Sequence, residues 1–299
     1  MRRVGAIEVG GTKTVAAIVS EFGEVVARTQ VKTTTPPEVF QQVSQFLQRH
    51  DPKTRPIQAI GVGQFGPVDI QPASSNYGSV LATPKPGWAG ANVIAELRQT
   101  FTVPIAVDTD VNAALLAEVE WGAGRGFSDV VYITVGTGIG GGILSSGRLV
   151  NGPLHPELGH MRAPSLAEER AEFAGVCPFH GSRCFEGVAA GPAIKARWGV
   201  AGEALAPDHP AWELEAEYLA ALCHNIAMIF SPQRFVLGGG VMQQQHLHRK
   251  IESRLVRSLA QYLFLDAVQD DQGPWVVPPQ LGADAGVLGA SLLANRVAR

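Results

Sequence analysis

Strand-length apolar runs recur along the chain at residues 4–9, 14–20, 57–62, 104–107, 130–135, 139–144 and 234–237. Runs of this length, bounded by glycine and other turn formers, mark buried strands. Between them the apolar spacing changes to that of a helix. Residues 37–49 place Val39, Phe40, Val43, Phe46 and Leu47 at helical positions, and residues 91–101 do the same with Val93, Ile94 and Leu97 behind a capping candidate, Asn92. Residues 113–121 are rich in Ala and Leu, and residues 213–230 carry a core stripe of Leu214, Tyr218, Leu222 and Ile226. Helical stretches at 187–198, from Val241 onward and at 281–298 complete an α/β pattern, the last of them crossing back to the first part of the chain.

One unit of this pattern occurs twice. Strand 4–9, the turn Gly10-Gly11-Thr12-Lys13 and strand 14–20 are matched by strand 130–135, the turn Gly136-Thr137-Gly138 and strand 139–144. Glycine lets backbone N–H groups approach a phosphate closely, while Thr12 adds a hydroxyl and Lys13 a charge. A plain hairpin turn also uses Gly-Gly. The repetition favours two similar lobes, each presenting a glycine turn to one polyphosphate. The expected boundaries are 1–115 for a small lobe, completed by the terminal helix at 283–299, and 116–282 for a large lobe. Residues 63–69 are turn formers at the carboxyl end of a strand, where α/β sheets place ligand contacts. Residues 77–88 hold two prolines and no periodicity, so they form an ordered loop or a cover.

A chain of 299 residues with 45% hydrophobic content can fill two such lobes. Its 24 basic and 27 acidic residues, with no long run of either sign, recommend neither nucleic acid nor an anionic membrane as partner. An odd number of cysteines, three, argues against a disulfide framework and for a reducing cytoplasm. The first residues turn polar and Gly-rich too soon for a signal peptide, and no apolar run approaches the length of a membrane span.

Chemistry-bearing residues concentrate between 152 and 191. His160, Cys177, His180 and Cys184 offer two imidazoles and two thiolates within one short loop, a set suited to Zn²⁺ in a closed tetrahedral site. Inert buried thiols, or a disulfide in a secreted protein, are the alternatives for the cysteines. Glu157 and Glu186 flank the ligands without being needed by the metal. A structural zinc would fix the loop so that Glu157, Glu186 and the exposed edge of His160 converge on a polyhydroxylated ligand. The glycine turns, resting on their own strands, are expected to be indifferent to its removal.

Three further places carry chemistry. Strand 104–107 runs into Asp108-Thr109-Asp110-Val111-Asn112 and a helix. Asp108 reads equally well as a helix cap, whereas Asp110, at the mouth of the strand, can accept a proton from a substrate hydroxyl and is the candidate general base. Gly191-Pro192 marks either a helix start or a close approach to a ligand. The run Gly238-Gly239-Gly240 lets a ribose or planar ring lie against the backbone, where a tight strand-to-helix turn needs one or two glycines.

Taken together, Glu8-Val9-Gly10-Gly11-Thr12-Lys13, Asp110-Val111-Asn112-Ala113-Ala114, Val135-Gly136-Thr137-Gly138-Ile139-Gly140-Gly141-Gly142, Pro156-Glu157-Leu158-Gly159-His160, the Cys/His knot and Gly238-Gly239-Gly240 resemble the ROK family of sugar kinases and regulators. Within it they resemble the bacterial fructokinase branch, as does Thr83-Pro84-Lys85-Pro86-Gly87-Trp88. The resemblance implies a two-lobed, actin-like (ribonuclease H-like) sugar kinase fold with ATP and sugar in the cleft between the lobes. It makes Asp110 the catalytic base, gives the sugar to Asn112, Glu157, His160 and Glu186, and gives the nucleotide to Gly10, Gly11, Thr12, Lys13, Thr137, Gly138, Pro192, Gly238, Gly239 and Gly240. Many members carry Asp where this chain has Glu8, a carboxylate that helps to hold the Mg²⁺ of MgATP. The common family knot is Cys-x-Cys with a third Cys, where this chain has Cys177-x-x-His180 and Cys184.

The expected activity is ATP-dependent phosphorylation of a hexose, first of all D-fructose to D-fructose 6-phosphate. Glucose, mannose or an N-acetylhexosamine as substrate is the near alternative. A non-catalytic sugar sensor is the distant one, since it needs a DNA-binding module ahead of the first glycine turn. A homodimer is expected from the resemblance alone.

Overall fold

The computed structural model describes residues 2–52, 54–166, 173–263 and 273–298. They form two compact units. The first comprises Met1–Gly122, Asn151–His155 and Leu281–Arg299, and the second Ala123–Val150 and Pro156–Gln280.

In the first unit, strands β1 (Arg3–Val9), β2 (Lys13–Ser20), β3 (Val25–Lys32), β4 (Ile57–Gln64) and β5 (Ile105–Thr109) form one sheet in the order β3-β2-β1-β4-β5. The β3-β2-β1 meander is antiparallel, and β4 and β5 add in parallel. The apolar runs of β1 and β2 are nearly unbroken because both faces of the sheet are covered. Ile7, Val9, Ala16 and Ile18 point into the core under α1 (Pro36–Arg49), while Val4, Ala6, Val15 and Ala17 point into the core under α8 (Ala285–Val297). Helix α8 lies so close to the sheet that a Cβ on Gly61 would fall 1.8 Å from the carbonyl oxygen of Ala290. Strand β3 has no buried run. Its residues alternate in exposure along an uncovered edge, which is why the apolar pattern did not mark it.

The second unit repeats the plan. Strands β6 (Val130–Val135), β7 (Ile139–Ser145), β8 (Arg148–Leu149), β9 (Arg234–Gly238) and β10 (Val276–Val277) lie in the order β8-β7-β6-β9-β10. Again three strands are antiparallel and two add in parallel. The repeat read from the two glycine turns is thus a repeat of whole sheets. Strands β8 and β10, two residues each, are too short to show any periodicity. Helices α6 (Ala211–Phe230) and α7 (His246–Leu259) supply Trp212, Tyr218, Leu222, Ile251 and Leu255 to the core. No helix among the described residues is long and apolar enough to cross a membrane.

Several elements differ from the sequence reading in extent. Helix α2 is Val93–Arg98, with Asn92 as its cap accepting the N–H of Ala95. Helix α3 begins earlier than expected, at Asp110, and runs to Trp121. The stretch 187–198 is two helices, α4 (Phe185–Ala189) and α5 (Gly191–Trp198), parted by the extended backbone of Ala190. After Val241 the chain first makes a 3-10 turn, Val241–Gln243, and only then enters α7.

Candidate active site and metal centre

The first unit holds one glycine turn and a group of carboxylates. The N–H of Gly10 donates to the carbonyl of Lys13 at 3.0 Å, closing the turn, and Thr33 buttresses it from the end of β3. The Thr33 hydroxyl donates to the carbonyl of Gly10 at 2.8 Å, and its N–H donates to that of Thr12 at 3.0 Å. Gly11, Thr12 and Lys13 are left exposed.

Asp110 is the first residue of α3, but it does not cap the helix. Thr109 does, its hydroxyl accepting the N–H of Asn112 at 3.0 Å. The cap reading of Asp108 is thereby corrected: the Asp108 side chain is buried, accepting from Thr109 N–H and from the Asn112 amide, both at 2.7 Å. Asn112 donates also to Asn151 at 3.3 Å, so both its donors are engaged, while its Oδ1 is buried with no partner among the described residues. An orphaned acceptor of that kind is completed by a ligand hydroxyl or water. Asp110 itself is half-buried, and burial pushes its pKa up to about 6. A carboxylate poised there can take a proton near neutral pH.

Glu8, on β1, is pushed up to about 7, first by burial and then by the charge of Asp110, with Lys13 and Arg28 acting the other way. Its carboxyl occupies the place of a side chain on α8: a Cβ on Gly286 would stand 2.1 Å from it. Two mutually repelling carboxylates are what a hard divalent cation relieves, so the donor set fits Mg²⁺.

The second unit holds the other glycine turns and the knot. At the 136–138 turn, Gly136 N–H donates to the carbonyl of Gly138 at 2.9 Å, and Gly191 N–H donates to that of Gly136 at 2.8 Å. Gly191 therefore starts α5 and approaches protein backbone, with Pro192 exposed beside it. The three glycines 238–240, which had one role in the sequence reading, separate into different ones. Gly239 has φ +93° and a Cβ there would lie 2.4 Å from the Val135 carbonyl oxygen, so the fold requires this glycine. Gly240 has open space where a Cβ would go, and a right-handed helical backbone. Only at Gly240 does the absence of a side chain lack an explanation in packing.

The ligand atoms of His160, Cys177, His180 and Cys184 all lie within 4.8 Å of one another. Cys177 Sγ is 3.8 Å from His160 Nδ1 and 3.6 Å from His180 Nδ1. Tetrahedral zinc bonds of about 2.0 Å to nitrogen and 2.3 Å to sulfur put neighbouring donors about 3.5 Å apart, so the set fits the ion. The cysteines are not joined to each other. The Cys184 thiol is pushed up to about 11 by burial, with neighbouring Cys177 adding to it, and a bound cation is what favours its thiolate. Short backbone bridges, Arg162 with Cys184 and Cys177 with Gly181, hold the loop. Two residues past Cys184, Glu186 faces His160 Nε2 at 3.8 Å with one oxygen and accepts the N–H of Ile139 at 3.1 Å with the other. His160 thus turns one ring nitrogen to the metal site and the other to a carboxylate. Glu157, half-buried, immediately precedes the 3-10 turn Leu158–His160 and accepts the N–H of His160 through its carbonyl.

A model of the ROK family matches residues 4–297. The putative fructokinase of Bacillus subtilis is 39% identical over 293 residues, 98% of this chain and 95% of that protein. The fructokinase of Pediococcus pentosaceus is 38% identical over 98% of this chain and 97% of its own length. Among solved structures, a ROK family glucokinase from Streptomyces griseus in complex with glucose and AMPPNP superposes with a TM-score of 0.73 at 26% identity, covering 98% of this chain and 99% of the other.

Proposed function

The chain belongs to the ROK family, and from that premise we propose that it is an ATP-dependent fructokinase, transferring the γ-phosphoryl group of ATP to D-fructose to give D-fructose 6-phosphate and ADP. The observation that carries the reading is Asp110, half-buried at the mouth of β5 with a pKa raised to about 6, in a chain 38% identical to a fructokinase and 39% identical to a putative fructokinase over almost its whole length. Asp110 takes the proton of the attacking hydroxyl as the oxygen bonds to phosphorus. Asn112, Glu157, His160 and Glu186 hold the sugar, and the unfilled Oδ1 of Asn112 is an acceptor for one of its hydroxyls. Gly10, Gly11, Thr12, Lys13, Thr137, Gly138 and the glycines at 238–240, with Pro192, hold the nucleotide. Phosphoryl transfer asks for little covalent chemistry from the protein, so most of the rate comes from alignment and from charge placed around the transferring group.

Mg²⁺ brought in with ATP would supply positive charge to the phosphates, and Glu8, raised by burial and by the charge of Asp110, would help to hold it. His160, Cys177, His180 and Cys184 would hold a structural Zn²⁺, whose part would be to fix the loop that carries Glu157, His160 and Glu186 rather than to activate water or bind phosphate. The same reading places the enzyme in a reducing cytoplasm, as a homodimer.

A coupled ADP-release assay over a panel of sugars tests the proposal. Fructose should give the highest kcat/KM, and Asp110→Asn should remove the turnover while sugar binding persists. Preference for glucose, mannose or an N-acetylhexosamine would move the assignment to another hexose kinase. Sugar binding with no turnover of any would leave a sensor.

A further inference from the structure

The aperiodic segment at 77–88 is held in place by Trp88, which is fully buried in the first unit. Its indole N–H donates to the carbonyl of Thr34 at 2.7 Å, and its ring packs edge-on to Phe65 and tilted to Phe40. Trp88 N–H donates back to the Lys85 carbonyl at 3.2 Å, and the Thr83 hydroxyl accepts the N–H of Lys85 at 3.3 Å. The backbone of Lys85 is therefore set by an anchored turn. Its ammonium donates to the carbonyl of Gly11 at 2.6 Å, on the first glycine turn.

An ammonium has three donors, and Gly11 takes one. No carboxylate pairs with Lys85 among the described residues. Lys13 lies on the same turn, exposed, and the space beside Gly11 is open. Two lysines gathered on one exposed glycine turn without a paired carboxylate for Lys85 suit a polyanion, and lysine is a point-charge binder of phosphate. Val9 pairs with Gln64 and Gln64 with Thr109 in parallel register, so the 10–13 turn and Asp110 leave β1 and β5 at the same end of the sheet, on the side of the general base. The phosphate it receives is then the one under attack.

We propose that Lys85 is a phosphate-binding residue of the nucleotide site, its ammonium bridging the Gly11 carbonyl and the γ-phosphate of ATP. The inference rests on reading the 10–13 turn as a nucleotide turn, and it adds a residue that glycine motifs do not contain. Calorimetric titration of wild type, Lys85→Met and Lys85→Arg with MgATP and with MgADP tests it, with melting temperatures as the check on folding. Lys85→Met should bind MgATP about tenfold more weakly while MgADP affinity changes less, the scale of one charged hydrogen bond. Lys85→Arg, which keeps the charge, should recover part of the loss. Equal loss for both nucleotides, or no loss, overturns the assignment and leaves Lys85 as a clasp on the turn. Failure of the wild type to bind MgATP at all would instead bring down the kinase reading itself.

Discussion

Glu186 Oε2 accepts the backbone N–H of Ile139 at 3.1 Å, and a Cβ on the adjoining Gly138 would fall 2.6 Å from the same oxygen. Two residues past Cys184, the last donor of the knot, Glu186 thus clamps the end of the 136–138 glycine turn. Gly159, next to His160, is held just as closely, since a Cβ there would lie 2.0 Å from the Ile139 carbonyl oxygen. Knot and turn are one hydrogen-bonded piece.

Removal of zinc should therefore be felt at both substrates. Cys177→Ser, or treatment with a strong chelator, is expected to abolish stoichiometric zinc and to weaken the binding of sugar and of MgATP, each by roughly tenfold or more. The sequence reading, which saw only strands supporting the turn, expects ATP binding to change little. Metal analysis with two titrations on one stripped sample separates the two expectations, and unaltered ATP affinity would show the Glu186 clamp to be dispensable.

Asp110→Asn should lower kcat by about 10² to 10⁴ without loss of fold, because Thr109 rather than Asp110 caps α3. The wild-type kcat/KM should fall as pH drops through about 6, where Asp110 takes up a proton. Its effect on stability runs the other way. A folded pKa of about 6 against the ordinary aspartate value of 3.8 means that the folded state binds the extra proton between those values, so stability declines as pH rises through that window. Asp110→Asn should accordingly melt at a higher temperature than wild type at pH 8, with the gap closing toward pH 4. A variant less stable than wild type at pH 8 would contradict a carboxylate held at a desolvation cost.

Glu8 is raised to about 7 by burial and by Asp110, and a divalent cation relieves both effects. Glu8→Gln should raise the Mg²⁺ concentration needed for half-maximal turnover severalfold, with fructose KM nearly unchanged. A Mg²⁺ titration of turnover at saturating ATP and sugar provides the measurement. An unaltered Mg²⁺ dependence would take Glu8 out of cation binding.

Gly239 and Gly240 should respond differently to the same kind of substitution. Gly239→Ala places a side chain at φ +93° against the β6 backbone and should destabilise the protein by about 1–3 kcal/mol, read as a lower melting temperature. Gly240→Val meets open space and should leave melting nearly unchanged while raising the KM for ATP severalfold and that for sugar little. Were Gly240→Val to leave the ATP KM as it was, the 238–240 run would be a structural turn only.

Much of this protein is legible along the chain. The two strand, glycine turn, strand units, the core stripe of α6, the base candidate Asp110 and the four donors of the knot are all patterns in neighbouring residues. Periodicity and spacing are local consequences of backbone geometry, and a linear reading captures them. The edge strand β3 escaped because half of it faces water, and β8 and β10 because two residues make no pattern. The cap read at Asp108 falls instead to its neighbour Thr109, a shift of one residue that only backbone geometry decides. Glu186 meets Ile139 across 47 positions, and Lys85 meets Gly11 across 74. Those partners are selected by which strands pair and where a buried tryptophan anchors a loop. Residue types and local spacing carry the chemistry this chain can perform, whereas the packing of distant segments decides which side chain braces which turn.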